Sequence, residues 1–205
     1  MISTRQQWVQ LIASCVVLGI GVGLLLTAAL GSDGYSTFVN GLSLATGIPF
    51  VVANCAVGAV FVGIAWSRGL RPGWATIVQP VVVGAVINQV LAVLSTPDSW
   101  LLRALLLGAA FPILVLGVAG YLGSGAGAGP TEAAALAFDP PLPFRWSYSV
   151  LQGGGALAGW LLGAAIGPGT LLVIFLLGPS VDLVSARVSA LNIHSSAPEP
   201  VPCAD

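Results

Sequence analysis

Asp182 offers the most chemistry in this chain. It sits well inside an apolar run, residues 170–188, and the next charge, Arg187, is five residues or about 7.5 Å farther along a helix. An isolated carboxylate in hydrocarbon costs at least about 2.5 kcal/mol. Asp182 must therefore meet a partner, a cavity or the interface. Two readings stay open: a proton or substrate contact, or a carboxylate that reaches the headgroups or Arg145 of the neighbouring run. Ser180, Asn88, Gln89 and Gln152 are the other polar candidates within apolar runs. Pro179 and Pro80 each remove a helical backbone hydrogen bond just before such polar residues. Breaks there would let freed carbonyls and half-helix ends line a central solute pathway, and kinked packing helices without a site are the alternative.

Asp33 and Glu132 lie instead in glycine-rich turns between apolar runs. Each turn has a start signal for a short helix: Ser32 as the cap of a helix beginning at Asp33, and Pro130 as a first helical residue with Glu132 behind it. A carboxylate in a first turn gains about 0.3–1 kcal/mol from the helix dipole. That structural role stands beside a second one, in which Asp33 and Glu132 gate the pathway.

Catalysis is not expected. His194 is the single histidine and follows the last apolar run, so a buried Ser-His pair lacks its base. Asp33 and Asp182 are expected toward opposite rims, which argues against an aspartyl pair. The chain has no lysine, and its three cysteines, Cys15, Cys55 and Cys203, form no C-x-x-C motif, so no metal or cofactor is expected. The segment Gly125-Ala126-Gly127-Ala128-Gly129-Pro130 fails the dinucleotide fingerprint, with proline at the third glycine position. A formal net charge of −1 leaves no basic stripe for nucleic acid.

What must position these residues is a stack of membrane helices. Of 205 residues, 57% are hydrophobic and 6% charged, far below the charge of a soluble domain. Six apolar runs, near 8–30, 49–66, 74–94, 100–122, 146–166 and 170–188, each approach the length that crosses a hydrocarbon core about 30 Å thick. Trp8, Trp66, Trp74, Trp100 and Trp146 fall at or near run ends, where indole settles among headgroups. The fold class expected is all-α, a polytopic membrane protein. With six crossings, Arg5, Arg68, Arg71, Arg145 and Arg187 share one side, and Arg103 lies near the other, where it snorkels. Both termini are then cytoplasmic. The first run could also be read as a cleaved signal peptide, but residues 11–30 lack any charge, which favours retention. Residues 192–205 read as a disordered cytoplasmic tail.

A displacement of 94 positions aligns the two halves without a gap: Gly31 with Gly125, Thr37 with Thr131, Trp66 with Trp160, Gly69 with Gly163, Gly73 with Gly167, Thr76 with Thr170, and Asn88 with Asp182. Residues 1–98 and 99–191 are thus expected to be two three-helix repeats. An odd number of crossings per repeat makes their topologies opposite, as in many secondary transporters.

Ala29-Leu30-Gly31-Ser32-Asp33-Gly34, then Gly41-Leu42-Ser43 and Thr46-Gly47-Ile48-Pro49-Phe50, resemble the turn motifs of YczE/YitT-type bacterial integral membrane proteins. So do Gly125-Ala126-Gly127-Ala128-Gly129-Pro130-Thr131-Glu132, Gly159-Trp160-Leu161-Leu162-Gly163 and Ile166-Gly167-Pro168-Gly169-Thr170. The resemblance runs over about residues 19–185 and implies a bacterial cytoplasmic-membrane protein. Two departures stand out: Gly34-Tyr35-Ser36 falls where the family carries Pro-Trp-Asp, and Thr131-Glu132 where it carries an Arg-Asp or Trp-Asp pair.

The function expected is a small-molecule transporter or permease with a central site between inverted repeats. The expected partners are the lipid bilayer, an unidentified small molecule or ion, and a second copy or another membrane protein. Two alternatives are a substrate-binding subunit of an energy-coupling-factor-type vitamin importer, docking through the small-residue face Gly19, Gly21 and Gly23, and a non-transporting membrane scaffold.

Overall fold

The structure is a computed structural model that describes residues 4–48, 50–70 and 73–188. Pro49, Arg71 and the expected tail, with His194 and Cys203, lie outside the described residues. The chain is all-α. Its helices are α1 (Thr4–Ala28), α2 (Gly34–Thr46), α3 (Phe50–Ser67), α4 (Trp74–Val93), α5 (Trp100–Leu122), α6 (Pro130–Leu136), α7 (Phe144–Leu161), α8 (Pro168–Leu172) and α9 (Gly178–Arg187). A π-helical turn, Val173–Leu177, joins α8 to α9.

Four of these rods are long and apolar enough to cross a bilayer: Arg5–Ala28, Trp74–Val93, Trp100–Leu122 and the continuous Pro168–Arg187. The chain is therefore a membrane protein. In α3 the apolar stretch is shorter, Val52–Ser67, and α7 carries Arg145, Ser147, Gln152 and three consecutive glycines among its apolar residues.

α1 is the central post. It packs along α5 and α4, while α2 lies against α7 and α6 against α3. The contact with α4 is made through glycines: a methyl at Gly19 or Gly23 would come within 2.7 Å of Val86 or Val90. Gly21 faces Leu114 of α5. The small-residue face of the first span is thus covered inside the molecule, and it offers no docking surface for an importer.

Corresponding positions in the two halves fold alike. α3 and α7 both end in a Schellman turn with glycine in the left-handed region, φ 89° at Gly69 and 98° at Gly163. Leu70 N–H donates to Ala65 O at 3.0 Å, and Ala164 N–H to Gly159 O at 2.9 Å. The next helices start alike as well: Gly73 N–H donates to Thr76 Oγ1 and Gly167 N–H to Thr170 Oγ1. Each start also holds the other half's turn. Ala75 N–H donates to Ala126 O at 3.0 Å and Gly169 N–H to Leu30 O at 2.8 Å.

Those last bonds correct the ungapped alignment. Leu30 and Ala126 play one role, as do Gly31 and Gly127, with φ 101° and 105°, so within the turns the displacement is 96 rather than 94. Two extra residues precede α6, and α6 is shorter than α2, which restores the register by α7. The N-caps are accordingly Asp33 and Gly129. Ser32 is not the cap: Asp33 fills that position and its carboxylate accepts from Ser36 N–H at 2.9 Å. Pro130 does occupy the first turn of α6.

The proline expectations divide. α4 runs unbroken through Pro80, and α5 through Pro112. Only the last rod departs from α geometry, in the π turn ahead of Gly178-Pro179. A proline there cannot donate to the preceding turn, and the wider turn absorbs the lost bond.

Candidate functional site

The polar interior forms where the two short helices enter the bundle. α2 crosses α7 at near backbone contact, because Gly34 and Gly41 on one helix meet Gln152, Gly155 and Gly159 on the other. A side chain at Gly34 would strike the Gln152 backbone. This crossing brings the start of α2 to the middle of α7. Asp33 therefore lies beside the middle of α7.

Gln152 organises that contact. It is 2% exposed. Its Oε1 accepts from Tyr35 N–H at 2.9 Å and its Nε2 donates to the Tyr148 hydroxyl at 2.8 Å. Tyr148 and Gln152 are one helical turn apart and both are buried, so they present one polar stripe from α7 toward α2.

Glu132 sits on the other side of the same interior. It is 6% exposed, and the Tyr121 hydroxyl of α5 faces its carboxylate. Gln79 of α4 closes on it from the next rod: a methyl at Gly129 would lie 2.9 Å from both Gln79 Oε1 and Glu132 Oε2. The starts of α2 and α6 approach each other at Gly58, where a methyl would lie 3.3 Å from the Tyr35 hydroxyl and 3.7 Å from Pro130.

No arginine balances these acids among the described residues. Arg68 lies over the Phe138 ring at 4.8 Å, Arg145 lies near the Trp146 ring, and Arg103 donates to Pro97 O at 2.7 Å. Nor do any three of His, Cys, Asp and Glu converge as metal ligands among the described residues. The cluster is thus one buried carboxyl, Glu132, and one half-buried carboxyl, Asp33, surrounded by neutral hydroxyls and amides. Such a group is chemically suited to exchange protons or to hold a small cation, and less suited to bind an anion.

The chain can now be placed among known proteins. A family model described as a family of unknown function, DUF6198, matches residues 5–186. The chain belongs to that family. It is also similar to an uncharacterized protein of Haemophilus influenzae (strain ATCC 51907 / DSM 11121 / KW20 / Rd), 27% identical over 172 residues, covering 81% of this chain and 77% of that protein. No solved structure matches it.

Within this DUF6198 chain the expected site residues are distributed unevenly. Asp33, Glu132 and Gln152 come together. Ser180 and Asp182 do not join them. Gly178 packs on the Arg145 backbone at the start of α7, so the residues that follow it lie at that end of the bundle, and Asp182 is half-buried there with interactions of its own. Asn88 and Gln89 are exposed on α4. Sequence reasoning missed Tyr35, Gln79, Tyr121 and Tyr148. One signal was present: Tyr148 and Gln152 at helical spacing inside an apolar run.

Proposed function

We propose that this DUF6198 protein is a transporter or permease for a small solute, with Asp33 and Glu132 as the proton- or cation-exchanging pair. The observation that carries the reading is the polar cluster of buried Tyr121, Glu132, Tyr148 and Gln152 with half-buried Asp33, Tyr35 and Gln79 inside an apolar helical bundle. A packing core needs none of these groups. Holding the Glu132 carboxyl away from water without a cationic partner costs several kcal/mol unless a proton or a bound cation offsets it.

In this reading the chain makes six crossings of a bacterial cytoplasmic membrane with both termini cytoplasmic, and its halves are inverted repeats. The matching Schellman turns, the Thr76 and Thr170 bonds and the exchanged turns support that arrangement, as do the turn motifs that resemble YczE/YitT-type proteins. Transport then proceeds by rocking one half against the other around the cluster. The reading assigns no catalytic step. Among the polar residues of the sequence, Gln152 orients Tyr35 and Tyr148, and Asp182 and Ser180 belong to the cytoplasmic end of the pathway.

The test is flux. Purified protein is reconstituted into liposomes containing a pH-sensitive dye and challenged with sodium, potassium, methylammonium and ethanolammonium. Wild-type protein should collapse a pH gradient with at least one of them, and Glu132→Gln should slow that flux about tenfold or more while keeping a wild-type thermal midpoint. Absence of flux above empty liposomes for every cation, or equal flux in Glu132→Gln, would overturn the proposal.

A further inference from the structure

α4 uses only one side. Val83, Val86 and Val90 face α1, and the helix makes no comparable contact with α3. Opposite that side lies an exposed stripe, Ile77, Val81, Ala85, Asn88 and Ala92. Its steps of three and four residues keep it on one face of the helix, and it runs about 22 Å, most of the depth of a hydrocarbon core. A methyl placed at Gly84, beside the stripe, would meet nothing within 4 Å.

Asn88 does not suit a lipid-facing surface. It follows Trp74 by 14 residues, about 21 Å along the helix, which leaves it inside the hydrocarbon when Trp74 marks the headgroups. Among the described residues its amide has no hydrogen bond, and lipid tails provide none. The side chain is too short to reach the surface.

We propose that this face of α4 is the interface between two copies of the chain, packed about a two-fold axis with Asn88 against Asn88. The amide carries a donor and an acceptor, so it is complementary to itself, and a symmetry-related copy satisfies both groups at once. Ala85 and Ala92, one step to either side, let the helices approach closely. A single asparagine in a helix seam also sets register. The partner is thus a second copy rather than a different protein, whose surface would have to match an amide at that one depth. This interface is independent of the transport reading.

Disulfide trapping in native membranes tests it. In a background with Cys15, Cys55 and Cys203 replaced by alanine, Ala85→Cys and Ala92→Cys should each yield a covalent dimer on mild oxidation, while Leu105→Cys on the exposed side of α5 should not. Energy transfer between labelled copies in diluted vesicles should show Asn88→Val weakening association about tenfold, and Asn88→Gln restoring much of it. No dimer at Ala85 and Ala92, equal trapping at Leu105, a cross-linked product of another mass, or an unchanged association in Asn88→Val would each overturn the proposal.

Discussion

α4 leans on α1 and leaves most of its circumference bare, whereas its counterpart, the rod of α8, the π turn and α9, is wedged between α5 and α7. The contrast is large: 6% of α4's most apolar window is buried against 44% for the other rod. Yet both rods begin identically, with a glycine N–H bonded to a threonine hydroxyl and a turn of the other half held by the next amides. Local start signals therefore set the first turn, and the packing beyond it depends on what each rod meets. The last rod meets α7, where Gly153 allows Ile174 to approach and Gly178 seats on Arg145. α4 meets valines fitted to the glycines of α1, and nothing comparable draws it to α3. Under the transport proposal, one half is closed and the other is open between its second and third spans.

Substitutions at paired positions can break or sharpen that comparison. Gly159 on α7 corresponds to Ala65 on α3. Gly159→Ala drives a methyl into the Thr37 backbone of α2 and should cost about 3 kcal/mol, while Ala65→Gly should cost only about 1 kcal/mol. Thermal midpoints in one detergent would compare them, and similar losses would mean that α2 and α6 approach their partners equally closely. Gln152 corresponds to Gly58, which touches the Tyr35 hydroxyl. Gln152→Leu should lose about 2 kcal/mol, because two buried hydrogen-bonding groups are left without partners, whereas Gly58→Ala should stay within about 1 kcal/mol. Equal effects would remove the special place given to α7. Last, Thr76→Val and Thr170→Val should each cost about 1 kcal/mol, measured by the same midpoints. A difference greater than that would mean the two starts are alike in geometry but not in energy.

Much of the fold was legible because hydropathy and tryptophan placement report directly on bilayer depth. The expected ends of the runs at Trp74, Trp100 and Leu122 coincide with helix ends. The packing of α2 on α7 was not legible. It depends on glycines of two separated segments, Gly34 and Gly41 with Gly155 and Gly159, meeting face to face, and neither segment alone specifies its partner. For the same reason the contact of the α2 start with Gln152 was not expected. Asn88 and Asp182 looked equivalent because they align, but burial around a helix follows its neighbours, and α4 turns Asn88 outward. The displacement of 94 hid a compensated two-residue shift that only the bonds to Leu30 and Ala126 reveal.

The opposed threading proposed for the two halves can be measured directly. Ala45 near the end of α2 and Leu142 just before α7 are both exposed and sit at comparable places in the two copies. Single cysteines there, in a cysteine-free background, would be treated in intact cells with a membrane-impermeant maleimide. Opposed halves require labelling of Ala45→Cys from the periplasm and of Leu142→Cys only after the cytoplasmic face is opened. Labelling of both from one side would contradict the account.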